Sequence, residues 1–137
     1  VNANLKLHIV KPTVFDLSEK AVRRAGLDYW KILDPKIWES LDEFLAANLS
    51  HKERFFFATT KTNRLYYDAK FELGDFIFFG GESTGLPREF MDINFKNAIT
   101  IPMGKEGRSL NLAMSAGIIA YEAIRQNISK FDFRSEV

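Results

Sequence analysis

Cysteine is absent from this chain, and that absence removes disulfide scaffolds, thiolate metal centres and thiol nucleophiles from consideration. It also fits a reducing compartment. Histidine is almost as scarce: His8 and His51 each lack a companion at ligand spacing, so both are expected to be structural or solvent-facing and no metal site is expected. No apolar run approaches the roughly 18 residues that would span a bilayer, and no secretory-signal pattern opens the chain, so no membrane association is expected. The expected location is the cytoplasm. Nineteen basic and eighteen acidic residues leave a net charge of +1, which gives no global field of the kind that marks a nucleic-acid binder. Any RNA contact has to come from a local patch.

Against these absences stand 46% hydrophobic residues and 14% aromatic ones, 13 of them Phe, in 137 residues. Such a chain folds, and its length suits one domain spanning residues 1–137. Leu5 to Val10 alternates apolar and polar before Pro12, as a strand with one wet face does. Ser18 to Ala25 reads as a short helix with Gly26 beyond its end, and Ser40-Leu41-Asp42-Glu43 has capping-box spacing ahead of Leu41, Phe44, Leu45 and Leu49. Arg54 to Thr60 and Asp75 to Gly80 contain the nearly continuous apolar runs of buried parallel strands. Ala98 to Met103 is a further expected strand, followed by a polar loop and a helix from about Ser109 to Gln126. Together these predict an α/β domain, a mostly parallel sheet sandwiched by helices.

Two polar turns carry the functional signal, Gly80-Gly81-Glu82-Ser83-Thr84-Gly85-Leu86-Pro87 and Arg108-Ser109-Leu110-Asn111-Leu112-Ala113-Met114-Ser115. Both follow strands, and ligands of open parallel sheets bind beyond the carboxyl ends of the strands. The first is not a phosphate loop, because Leu86-Pro87 stands where Lys-Ser/Thr is needed, and it lacks the third glycine of a dinucleotide fingerprint. A tight strand-exit turn remains open as the plain alternative. Glu82 suits a cationic ligand better than a phosphate. The last helix is apolar on most sides and dense in small residues, which fits either a partner subunit or a central core position. Arg23-Arg24 with Lys11, Lys20 and Lys31 could contact phosphate or simply end a solvated helix. Trp30, Trp38, Tyr66 and Tyr67 could stack on bases or pack.

Leu7 to Pro12, Arg23 to Tyr29, Phe57 to Lys61, Phe79 to Glu82 with Gly85 to Pro87, Ile101 to Met103 and Arg108 to Leu112 occur in an order that resembles the SPOUT family of RNA methyltransferases. The likeness is to its TrmL branch, bacterial tRNA 2'-O-methyltransferases of the wobble ribose. The resemblance implies a C-terminal trefoil knot, an exception to the rule against knotted chains, an S-adenosylmethionine pocket within it, and a homodimer. It further implies donor binding by the main chain around Ala58, Gly80 and Ile101 with Ser109, and places Glu82, Ser109 and Asn111 at the polar positions that orient the ribose. Arg23, Arg24, Arg108 and Tyr121 become candidates for tRNA or cross-subunit contact. Gly81 replaces the proline usual in the branch. The family's first motif, with the arginine assigned to activating the ribose hydroxyl, would precede Val1, so the chain as given is expected to bind donor but turn over slowly. The related alternatives are the same chemistry on rRNA or another tRNA site, and a catalytically silent RNA-binding dimer.

Overall fold

In a computed structural model, residues 2–12, 30–81 and 83–133 are described. The expected helix over residues 18–25 lies outside them, as do Arg23, Arg24 and Glu82. The chain divides into two compact units, residues 1–50 and 51–137.

The first unit is built on a parallel pair, β1 (His8–Val10) and β2 (Lys36–Trp38), in the register His8 to Lys36 and Val10 to Trp38. The pairing is bracketed by Lys36 N donating to Leu7 O and Lys11 N donating to Trp38 O, both at 2.9 Å. β1 is thus shorter than the alternation from Leu5 suggests, and β2 had no sequence signal. A short helix α1 (Trp30–Leu33) precedes β2. The helix α2 (Leu41–Asn48) starts where the capping signal places it: Ser40 Oγ accepts from Glu43 N at 3.1 Å. The Glu43 carboxylate reaches back one residue further than a capping box requires, accepting from Glu39 N at 2.7 Å.

His8 is structural in this unit. Its ring stacks on Trp38 with an 11° interplanar angle, Phe44 meets both rings edge-on, and Nδ1 accepts from Trp38 Nε1 at 3.1 Å. Partial burial, and secondarily Lys36 and Lys6, hold the imidazole below its usual pKa. As pH falls past about 6.5, the unfolded chain therefore takes up this proton before the folded one does. The stability tied to neutral His8 is complete above that value and is lost on acidification toward the lowered folded value. Urea midpoints measured from about pH 8 to about pH 5 should fall more steeply for the native chain than for His8→Gln, which keeps an acceptor for Trp38. Parallel declines would contradict this assignment.

The second unit is a three-stranded parallel sheet in the order β4-β3-β5, formed by β3 (Phe55–Ala58), β4 (Phe76–Phe79) and β5 (Ala98–Ile99). β3 is central and its three Phe side chains are buried, as its apolar run predicts. They alternate between faces. Phe55 and Phe57 meet Phe78 at 4.9 and 5.5 Å between centroids, and Phe90 of α3 (Arg88–Met91) closes that aromatic layer. Phe56 points the other way, into a cluster with Ala69, Phe71, Ile99 and Ile119, the last from helix α4 (Leu112–Gln126). Helices therefore cover both faces of this sheet, matching the expected architecture.

Two boundaries differ from expectation. β5 ends at Ile99 because the chain changes partner: Thr100 N donates to Arg64 O at 2.8 Å and Thr100 O accepts from Tyr66 N at 2.9 Å. α4 begins at Leu112 rather than near Ser109, because Asn111 is the cap, its side chain accepting from Met114 N at 3.2 Å. The far end of α4 is tied down by side chains. Gln126 donates to Ala69 O and accepts from Phe71 N, each at 2.8 Å, and Asn127 Nδ2 donates to Phe71 O at 2.9 Å.

Candidate active site

Three parallel strands that end together leave three loops at one edge, and in this unit those loops border a cleft of about 480 Å³ that is open to solvent. That volume falls within the range of small-molecule sites. Ala58 to Lys61 contribute the wall after β3, Phe79 to Gly81 and Ser83 to Leu86 the wall after β4, and Ile99 to Ile101 with Met103 the wall after β5. The floor comes from the entry to α4, where Ser109 to Leu112, Ser115 and Ile119 face the same space. The lining mixes apolar side chains with Thr and Ser hydroxyls, Asn111 and Lys61.

The loop after β4 owes its shape to Gly80. A Cβ there would collide with the backbone of Gly85 and Leu86, so the chain folds back on itself at a separation that only glycine permits. Gly85 N donates to Gly81 O at 2.9 Å across the turn, and Gly85 itself has φ +67°, a left-handed conformation. The close approach that the glycine spacing suggests is thus an approach of chain to chain, which in turn presents the loop backbone to the cavity.

The structure brings five of the sequence-derived residues together around this space: Ala58, Gly80, Ile101, Ser109 and Asn111. Asn111 also has a structural task, since its Oδ1 caps α4. Its Nδ2 remains a donor. Arg108 is exposed beside Ser109 but does not line the cavity, and Tyr121 stands 53% exposed on the outward side of α4 with Met114 at 60%. Thr59, Thr60, Thr84 and Ser115 also line the cavity and were not singled out by sequence. Their signal was weak, because an isolated Thr or Ser at a strand exit or, as with Ser115, in a helix is commonplace. Among the described residues no three His, Cys, Asp or Glu side chains gather to hold a metal ion, and no helix is long and apolar enough to cross a membrane.

Comparison with known proteins bears on the same segments. The model of the SpoU rRNA Methylase family matches residues 1–121. A protein of Aeromonas hydrophila, named tRNA (cytidine(34)-2'-O)-methyltransferase, is 37% identical over 126 residues, covering 91% of this chain and 80% of its own. A solved structure described as giving insight into 2-OH methylation of C/U34 on tRNA superposes with a TM-score of 0.76 at 38% identity, covering 90% of this chain and 79% of its own. A Bacillus anthracis crystal structure, described as a candidate RNA methyltransferase, superposes with a TM-score of 0.82 at 33% identity, covering 94% and 82%. Family match, relatives and fold agree with the order of motifs along the chain, which therefore belongs to the SpoU methylase family, on the TrmL-like side of the SPOUT enzymes.

Proposed function

We propose that this chain is a tRNA 2'-O-methyltransferase that transfers the methyl group of S-adenosylmethionine to the ribose of the wobble nucleotide, cytidine or uridine 34. The observation that carries the reading is one cavity, at the carboxyl ends of β3, β4 and β5, assembled from the family's motif segments. The relatives' names give the substrate.

The residues present fit such a donor. Ile101, Met103, Leu86 and Leu112 offer apolar walls for a purine and a thioether, while strand-exit backbone offers hydrogen bonds without fixed charge. The donor supplies a methyl carbon already activated by its sulfonium. The main chain at Ala58, Gly80 and Ile101, with Ser109, would hold it. Ser109, Asn111 through Nδ2, and Glu82 would orient the ribose so that its 2' oxygen lies in line with the methyl carbon. Transfer to the 2' oxygen would leave the donor as its neutral thioether, S-adenosylhomocysteine, and the hydroxyl proton would pass to a base or to water. Arg23, Arg24, Arg108 and Tyr121 are assigned to RNA or cross-subunit contact. The reading needs no metal.

The same proposal includes a single domain over residues 1–137, a C-terminal trefoil knot, a cytoplasmic location, and a homodimer through α4. Ala113, Met114, Gly117 and Tyr121 form an exposed, mainly apolar stripe on that helix and support the dimer. The family's description names rRNA, so methylation of rRNA is the second reading. Transfer of labelled methyl from donor to bulk unmodified tRNA and, in parallel, to rRNA separates them. Transfer to tRNA is the expected result, transfer to rRNA alone would support the second reading, and donor binding without transfer would support a silent RNA-binding dimer.

A further inference from the structure

We propose that Lys61 is a phosphate-contacting residue of this site, holding the RNA backbone at the mouth of the cavity while the target ribose enters. The inference rests on the RNA methyltransferase reading above and adds to it a named contact. Among the described residues that line the cavity, Lys61 alone carries a charge. It is exposed, and among the described residues no carboxylate or carbonyl partners its ammonium.

Its placement is fixed by structure rather than by chance. Lys61 N donates to Thr59 Oγ1 at 3.1 Å, and Thr59 N donates to Ile99 O at 2.9 Å, so the turn carrying Lys61 is anchored to both β3 and β5. A side chain on so short and tethered a turn presents its charge from a defined point.

Several other cations of this unit are already committed. Arg54 is bonded to Asp75, Arg64 to Lys96 O and Asn97, Arg88 to Asp92, Lys96 to Glu53 and Arg125 to Glu122. Lys105 and Arg108 are not, and both belong to the exposed loop that joins two cavity-lining stretches, Met103 and Ser109. Lys61 is thus the one charged side chain of the described lining, and the loop between the lining residues Met103 and Ser109 carries two more uncommitted cations. Such a distribution suits a polyanion passing across the mouth. It suits the donor less well, because the donor carries its own sulfonium charge and the lining deeper in the cavity is neutral.

Lys61→Gln and Lys61→Arg, made in the full chain, test this. One lost phosphate contact should lower the slope of log affinity against log salt by about 0.7–0.9, which corresponds to about five- to eightfold weaker tRNA binding near 0.1 M salt. Arg should restore most of it. Calorimetric affinity for S-adenosylhomocysteine and the melting temperature should match wild type in both variants. An unchanged salt slope in Lys61→Gln overturns the proposal, and so does a loss of S-adenosylhomocysteine affinity, which would place the ammonium on the donor's carboxylate. Wild-type protein that binds no tRNA at any salt would instead overturn the RNA reading itself, and this contact with it.

Discussion

Gly80→Ala is expected to abolish donor binding and to destabilise the second unit. The added methyl would have to occupy space held by the backbone of Gly85 and Leu86, and backbone, unlike the end of a flexible side chain, cannot swing aside. Overpacking of this kind costs about 3 kcal/mol when the neighbours cannot yield. The alternative is an opened loop, which relieves the clash by moving Gly81, Thr84 and Leu86, all of them cavity walls. Either outcome removes the site. Gly104→Ala is the matched control, because a Cβ there meets nothing within 4 Å. It should stay within about 0.5 kcal/mol of wild type and keep its donor affinity. Calorimetry with S-adenosylhomocysteine and urea unfolding of both variants decide the matter. Donor affinity equal to wild type in Gly80→Ala would show that the folded-back loop does not build the pocket.

Asp75→Ala is expected to cost about 2–3 kcal/mol without touching the cavity. The Asp75 carboxylate is nearly buried, with 5% of its side chain exposed, and receives Arg54 Nε and Nη2 at 2.6 Å each, as well as Glu72 N at 2.7 Å. This fork joins the start of β3 to the start of β4, and the hydrogen bond holds the Arg54 guanidinium above its usual pKa. Breaking a buried pair costs more, about 3–5 kcal/mol, but Arg54 is 37% exposed and water can replace part of its loss. Asp75→Asn keeps an acceptor for Glu72 N and should cost about half as much. Urea midpoints measure both. A midpoint for Asp75→Ala within error of wild type would mean that the pair contributes nothing net to the sheet.

These two variants also mark what the sequence made legible. Phe55 to Ala58 and Phe76 to Phe79 announced themselves as parallel strands, but only the central one is buried as expected: Phe76 to Phe79 form an edge strand and stay half-buried. The Gly80 turn was legible as a tight strand exit because glycine spacing after a strand constrains the backbone so strongly. Less visible were features that depend on a partner distant in sequence. Arg54 and Asp75 are 21 residues apart, and Gln126 reaches Phe71 across 55. β2 is three residues long, too short for any period to emerge. The end of β5 depends on an isolated bridge from Leu65 to Thr100, at a segment whose own composition shows no strand pattern. At the start of α4, the polar stretch around Ser109 set the expected boundary, and only the bond from Met114 N to Asn111 places the cap two residues later.

The most direct measurement follows where the methyl group lands. Full-chain protein, S-adenosylmethionine and unmodified tRNA are incubated, the tRNA is digested, and the fragments are sequenced by mass spectrometry. The account predicts one added methyl on the ribose of nucleotide 34, as 2'-O-methylcytidine or 2'-O-methyluridine. A methyl on a base, or on the ribose of any other nucleotide, would contradict it.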